Sequence, residues 1–457
     1  MDKSIVQRLL KGFGANMYGQ SVIIIIQLAG VPILLHSWGP ELYGEWLILF
    51  AIPAYLSMTD LGFSQSAAND MTARVARADR AGALTVFQSL GALVFLLAVA
   101  GLVLVAAAAT LLPLGSWMHF VILSTPQVRW VLCLLAAEVL VRLTEGISQA
   151  GFRANGDYAL GTAVYSSTLL TQYGSVWLLA ALGMGPVAAA AAFFAIRAMV
   201  TPTVALVLVR RHPWLRFGFE HARLAQLRTL VRPALANTGL PLAQALNVQG
   251  MVLLVGTALG PIAVVTFSTL RTLTRLALQL VFTVSHAAEP ELASAIGKDD
   301  YPLVRTLYQH MLRGGVWLAL TASIGLVLTG SWILRLWTHG NVDMNSALFH
   351  WLIASAAASV LWYGSLILLK AANRHLRAAV VYAVSAGTAL ALAALLLKAT
   401  GSLASAGASL LVMDAAMATY TLRAAGRLCS SSVLNSLYPA LNPAPLLRLL
   451  TAKSHAY

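Results

Sequence analysis

The chain has 457 residues, a formal net charge of +14, and a composition that is 59% hydrophobic but only 10% charged. With a mean hydropathy of +0.78, that balance excludes a soluble globular protein. No polar stretch between the apolar runs is long enough for an extramembrane catalytic domain.

In chain order, apolar runs of about twenty residues, each enough to cross a bilayer once, predict twelve spans. They cover 12–36, 43–66, 82–112, 128–150, 158–182, 186–209, 234–257, 262–287, 306–333, 347–370, 378–398 and 402–422. Open strands would leave backbone groups unpaired in lipid, and the runs are too continuous for barrel strands, so the expected fold is all-α and polytopic. The basic N-terminus followed by an apolar run resembles a signal sequence. It lacks a small-x-small cleavage site, however, and is long enough to span, so it reads as an uncleaved first helix.

The polar residues within the spans fall on stripes. Asn16, Gln20 and Gln27 share a face of the first span, and Gln244 and Asn247 share one in the seventh. Asp60, in "MTDLGF", is either a packing carboxylate or an ion carrier. The fourth span aligns Glu138, Arg142, Glu145 and Gln149; the acids and the arginine either neutralise one another or serve a function. The sixth holds Arg197. The eighth aligns Ser268, Arg271, Arg275 and Gln279, ending near His286, and the twelfth holds Asp414. Asn16 and Asn237 suit interhelical hydrogen bonds or ligand contacts. Lys370 and Arg374 either snorkel to the membrane surface or line a cavity.

Arg271 and Arg275 pose the sharpest question. A cation near the bilayer centre costs at least about 2.5–3.5 kcal/mol on insertion scales, and Arg275 lies roughly 20 Å along its span from the outer end near residue 262. Their own helix offers no carboxylate nearby. Two guanidiniums one turn apart make a forked, permanently cationic site for phosphate or carboxylate oxygens. The reading is an anionic passenger; acidic partners on other helices are the alternative.

With both termini inside, twenty-two lysines and arginines fall in inner segments, three (Arg129, Arg335, Lys398) in outer ones and five within spans. This bias predicts cytoplasmic N- and C-termini. It also explains the basic charge through anionic lipids at the inner loops, without nucleic acid. The basic connection 210–232 is expected to lie along the membrane surface. Cys133 and Cys429 are too few and too separated for a disulfide framework or zinc cluster.

An offset of 221 residues superposes Asn16 on Asn237, Gly39-Pro40 on Gly260-Pro261, Ser64 on Ser285, Asp79 on Asp300 and Gln88 on Gln309; Ala154-Asn155 matches Ala372-Asn373 at 218. Six spans per repeat keep both halves in one orientation, which predicts two parallel six-helix bundles around a central cavity. The expected organisation is a bundle over 1–210, a basic cytoplasmic linker over 211–232, a second bundle over 233–424 and a cytoplasmic tail over 425–457. Residues 433–450 are expected as a surface helix.

"GPELYGEW" (39–46), "DLGFSQSAAND" (60–70), "RANGDY" (153–158) and "KAANR" (370–374) resemble landmarks of bacterial polysaccharide flippases. These are O-antigen and lipid-linked oligosaccharide translocases of the multidrug/oligosaccharidyl-lipid/polysaccharide exporter superfamily. The resemblance covers nearly the whole chain through short, loose motifs. It implies a twelve-to-fourteen-helix transporter in the bacterial plasma membrane that moves an undecaprenyl-diphosphate-linked oligosaccharide from the inner to the outer leaflet, in O-antigen or exopolysaccharide synthesis. It further implies a cationic cavity, with Arg142, Arg197, Arg271 and Arg275 as candidates, and coupling to an ion gradient. Asn16, Asn237, Gln244 and Lys370 complete the candidate substrate contacts. Asp60, Glu138 or Asp414 would bind the coupling proton or sodium ion. Rocking of two halves would carry the polar head across while the lipid tail stays in hydrocarbon.

Three rivals differ in class. A cation-coupled multidrug antiporter of the same superfamily would want an acidic cavity. A polymerase or glycosyltransferase would need a large outer loop with catalytic carboxylates, and the chain reads as no enzyme. A nonenzymatic scaffold in a polysaccharide polymerase complex would not translocate lipid unaided. No cofactor or metal is expected: "GFGANMYG" (12–19) follows no strand, and His286 with Glu289 supplies only half a metal site.

Overall fold

The computed structural model describes residues 3–56, 62–111, 120–429 and 441–442. Asp60, the side chains of Asn237 and His286, and the proposed surface helix over 433–450 lie outside the described residues. Among those described there are fourteen α-helices and no strand.

The helices are α1 (Lys3–Ala54), α2 (Phe63–Ala76), α3 (Arg80–Leu111), α4 (Thr125–Ala154), α5 (Tyr158–Ala181), α6 (Pro186–Arg211) and α7 (Leu224–Ala245). A π-helical turn, Leu246–Gly250, joins α7 to α8 (Met251–Leu259). There follow α9 (Pro261–Ala287), α10 (Glu289–Gly297), α11 (Tyr301–Thr338), α12 (Ser346–Ala371), α13 (Leu376–Thr400) and α14 (Ala404–Leu428).

Among the described residues, seven segments meet both a length and an apolarity requirement for crossing a membrane: Leu10–Ala54, Arg80–Ala108, Pro186–Arg211, Thr238–Leu259, Tyr301–Thr338, Ser346–Ala371 and Leu376–Thr400. The first holds two helical stretches separated at Gly39, as the separate predicted spans 12–36 and 43–66 require. Gly39 sits at φ 73° inside α1, a left-handed geometry open to glycine, and Pro40 disfavours helix at the residue before it. Outside the seven stand α4, α5, α9 and α14, whose buried polar residues dilute their hydropathy. Those four helices contribute Glu138, Glu145, Gln172, Arg271 and Asp414 to the polar clusters described below.

The chain divides into two compact units. One comprises Met1–Ala245 with Gly260–Val265; the other comprises Leu246–Leu259 with Thr266–Tyr457. The first unit has a core that includes Phe87, Leu90, Phe152, Leu208 and Leu215. The connection after α6 does not float on this unit. Gln88 donates to the Arg216 carbonyl (3.0 Å) and accepts from the His221 N–H (2.7 Å), Ser89 accepts from Arg223 N–H (2.8 Å), and Phe217 packs on Phe87 at 5.0 Å. The expected surface-lying segment is therefore docked on α3, because Gln88 and Ser89 satisfy its backbone.

Also in the first unit, Glu45 has no solvent exposure and accepts three consecutive backbone N–H groups, from Val121 (2.5 Å), Ile122 (2.8 Å) and Leu123 (2.9 Å). Its carboxylate anchors the approach to α4. One residue earlier, a Cβ on Gly44 would lie 2.3 Å from the Pro261 carbonyl oxygen, so only glycine permits this approach. In the second unit, Leu278, Val281, Ala319 and Val360 form a core cluster.

The internal repeat is visible turn by turn. Between α2 and α3, Ala78 has φ 62°, Asp79 N–H reaches Arg74 O at 2.9 Å, and Asp79 Oδ1 caps Gly82 N–H at 2.8 Å. Between α10 and α11, Asp299 has φ 55°, Asp300 N–H reaches Ala295 O at 3.0 Å, and Asp300 Oδ1 caps Leu303 N–H at 3.1 Å. Every pair is 221 residues apart. The later match needs a one-residue correction. The left-handed residue after α4 is Gly156 (φ 83°) and the one after α12 is Asn373 (φ 55°), an offset of 217 rather than 218. Such a C-terminal turn takes Gly or Asn, so the Asn-on-Asn match misaligned the turns.

Candidate functional site

In the first unit, a polar network joins α4, α5 and α6. Arg197, with 0% exposure, donates from Nε to Glu138 Oε1 (3.1 Å), from Nη1 to Glu145 Oε2, and from Nη2 to Gln172 Oε1 (2.6 Å). Its guanidinium also lies over the Tyr165 ring at 5.7 Å. Gln172 Nε2 donates to Glu138 Oε1 (3.2 Å) and to the Phe193 carbonyl (2.8 Å), and Gln149 donates to Glu145 Oε1 (3.3 Å) and the Gly161 carbonyl (3.1 Å). Arg142 approaches Glu138 Oε1 at 3.8 Å from a half-exposed position. Two guanidiniums thus face two carboxylates. The cluster is charge-balanced, and its hydrogen bonds close on themselves, as a buried ionic network requires.

The second unit is built differently. Arg271 on α9 is 8% exposed and donates to a single residue of the π-turn: Nη1 to the Asn247 carbonyl (3.0 Å) and Nη2 to Asn247 Oδ1 (2.5 Å). The widened turn breaks the regular i to i−4 ladder, which frees a carbonyl for the fork. The guanidinium also stands over Phe267 at 5.5 Å. Asn247 Nδ2 donates to the Tyr382 hydroxyl (3.1 Å), and the Tyr382 ring lies 5.2 Å from that of Trp362. Trp362 Nε1 in turn donates to Asp414 Oδ1 (2.8 Å), and Ser355 Oγ donates to Asp414 Oδ2 (2.5 Å). A chain of polar and aromatic groups therefore links Arg271 to Asp414 across α9, the π-turn, α12, α13 and α14.

This network is not charge-balanced. Arg271's hydrogen bonds go to neutral oxygens, and Arg275, exposed one turn further on, makes no hydrogen bond or ion pair among the described residues. Asp414 lies within the electrostatic reach of both guanidiniums. Even with Asp414 ionised, two fixed positive charges face one negative charge. Such a site attracts an anion.

The other candidates are placed as follows. Asn16 is exposed on α1 and accepts from the Tyr158 hydroxyl at 2.8 Å; Gln244 is exposed on α7. Lys370 Nζ is 3.9 Å from Glu289 Oε2. Beside it, burial and the Lys370 charge pull the His375 imidazole below its ordinary range. Among the described residues no three His, Cys, Asp or Glu side chains gather as a metal site.

Sequence reasoning missed Gln172, Tyr382, Trp362, Ser355 and Glu45. Only Glu45, an acid inside a predicted span, carried a composition signal. The rest are neutral residues whose partners come from distant helices. The landmark motifs also turn out to hold connections: Asp70 and Asp79 bind Arg74 (3.0 and 3.2 Å), Asp70 accepts from Gln226 (3.0 Å), and Asp157 meets His212 (3.0 Å).

No protein-family model matches this chain, and no curated protein does. Solved structures do. An inward-facing multidrug resistance MATE family transporter of the MOP superfamily superposes with a TM-score of 0.74 at 14% identity, over 91% of this chain and 99% of that one. The lipid II flippase MurJ in an inward closed conformation superposes with a TM-score of 0.68 at 10% identity, over 99% and 94%. A MATE structure in a bent conformation gives 0.62 at 17% identity, over 91% and 93%. The chain has the two-bundle helical fold of these transporters.

Proposed function

We propose that this multi-pass membrane protein is a flippase for an undecaprenyl-diphosphate-linked oligosaccharide. It would move the lipid from the inner to the outer leaflet of the bacterial plasma membrane by alternating access, with no chemical step. The observation that carries this reading is the uncompensated Arg271–Arg275 pair. A diphosphate supplies the oxygens that Arg275 lacks, and charge-assisted, forked hydrogen bonds are the strong ones. Arg271, held by Asn247 and Phe267, is preorganised and supplies the field, while exposed Arg275 makes the contact.

Arg142, partly exposed beside Glu138, then serves as a secondary contact. Arg197 fits a structural role, with each of its three kinds of guanidinium nitrogen donating to a buried partner. Asn16, Asn237, Gln244 and Lys370 remain proposed contacts for the hydroxyl-rich glycan. For ion coupling the strongest candidate is Asp414: a buried carboxylate with two neutral donors and a positive field can exchange a proton or sodium ion and alter the charge Arg271 feels. Glu138 is held by Arg197, and Asp60 stays a candidate from its sequence position. The bacterial inner membrane, the cytoplasmic termini and a polymerase complex as partner belong to the same proposal.

The multidrug antiporter is the second reading. What favours it is the 0.74 superposition on a multidrug resistance MATE family transporter and the presence of a buried carboxylate in the second unit.

The test is reconstitution of the purified full chain in liposomes holding either undecaprenyl-diphosphate-linked oligosaccharide or a fluorescent lipophilic cation. The flippase reading expects gradient-stimulated movement of the lipid and none of the cation. Cation efflux without lipid movement overturns it. In the same liposomes, Asp414→Asn is expected to abolish the response to the gradient while leaving slow downhill exchange; full retained coupling removes Asp414 from the mechanism.

A further inference from the structure

The second unit holds another concavity that the transport reading does not use. It has a volume of about 560 Å³ and is lined by Arg377 at the start of α13 and by Thr419, Tyr420, Arg423 and Arg427 of α14. The helical spacing puts Thr419 and Arg423 on the side of α14 away from the buried Met413, Asp414, Met417 and Thr421, with Tyr420 and Arg427 at its edge. The groove is thus separate from the Arg271–Asp414 network.

Its charge is unanswered within the chain. Arg377, Arg423 and Arg427 are all exposed and make no ion pair or hydrogen bond among the described residues. Arg423 and Arg427 stand four residues apart, a like-charged spacing that repels on a helix. From residue 415 to residue 457 the sequence contains no Asp or Glu, so no side chain of the C-terminal segment can neutralise them.

The same two faces continue into apolar surface. Val380 and Val384 follow Arg377 along α13 and are 58% and 61% exposed; Val412 precedes Ala416 and Thr419 on α14 and is 52% exposed. A cationic groove that grades into an exposed aliphatic strip on membrane-spanning helices matches one amphiphile: a phosphate head with acyl chains attached. The Lys/Arg bias puts this end of the helices at the inner leaflet, where anionic lipid is found.

We propose that Arg377, Arg423 and Arg427 form a headgroup site for an anionic phospholipid, with its acyl chain along the Val380–Val384 and Val412 strip. Guanidiniums bind the phosphodiester by forked hydrogen bonds, and the half-buried Tyr420, which lines the groove, offers a hydroxyl to the headgroup.

Native mass spectrometry of the detergent-purified full chain, titrated with phosphatidylglycerol or phosphatidylcholine, tests this. Wild type is expected to retain phosphatidylglycerol at least five-fold better than phosphatidylcholine. Arg377→Gln/Arg423→Gln/Arg427→Gln is expected to lose that preference with an unchanged thermal unfolding midpoint. Equal retention of the two lipids by wild type overturns the proposal without reference to any variant, as does a triple variant that keeps the wild-type preference. Displacement of phosphatidylglycerol by millimolar inorganic phosphate would reassign the groove to a soluble phosphate ligand and overturn the lipid assignment. None of these readouts depends on transport, so failure here leaves the flippase reading standing, and the reverse holds too.

Discussion

Arg197 and Arg271 are both arginines buried among helices, and the difference between them is what each donates to. Arg197 meets two carboxylates and Gln172; removing it leaves two buried acids facing each other. Arg197→Leu is therefore expected to destabilise the protein by about 3–5 kcal/mol, read as a shift in the denaturation midpoint, and Glu138→Gln/Glu145→Gln on that background should recover part of the loss. Glu45 makes the analogous case for a single anion. With three backbone N–H groups orphaned, Glu45→Ala is expected to cost about 3 kcal/mol, by the same measurement. Arg271 gives up less stability when replaced, because its partner oxygens belong to a neutral Asn. The Arg271–Arg275 spacing was legible in the sequence, since two cations on one apolar stripe stand out. Their partners were not, because a neutral acceptor such as Asn247 leaves no charge pattern to search for.

At the scale of the element, the π-turn and the Gly39 bend set what the helices can do. The π-turn presents the Asn247 carbonyl and side chain together, and Asn247→Leu removes one of the two oxygens that hold Arg271. The expected result is a loss of transport larger than the loss of stability, measured as flux per folded protein. Gly44 is constrained by approach rather than by backbone angle: the Pro261 carbonyl occupies the space a Cβ needs. Gly44→Ala is expected to cost about 1–3 kcal/mol through forced displacement, checked by the unfolding midpoint. Helix existence was legible throughout from apolar runs, and bends were partly so from Gly-Pro pairs. The separation of 12–36 from 43–66 was legible from Gly39-Pro40, where the left-handed Gly39 interrupts the helix. Apolarity falls where α4, α5, α9 and α14 carry buried polar groups. The π-turn had no sequence signal, as its five residues, "LNVQG", suit an α-helix equally well.

For the whole molecule, the internal repeat connects sequence to architecture. Turns 221 residues apart share their left-handed residue, their backbone bonds and their aspartate caps, although the polar interiors of the two units have diverged. The buried network of the first unit is charge-balanced and that of the second holds excess positive charge, and the proposed flippase reading rests on this difference. Identity of 10–17% to the solved transporters shows the fold and not the function, since one such fold serves many functions. The most direct test is leaflet-resolved accumulation of undecaprenyl-diphosphate-linked oligosaccharide in cells carrying wild type or Arg271→Gln/Arg275→Gln at matched protein levels. The account predicts inner-leaflet accumulation in the double variant. Unchanged leaflet distribution would contradict it and make the arginine pair a structural feature.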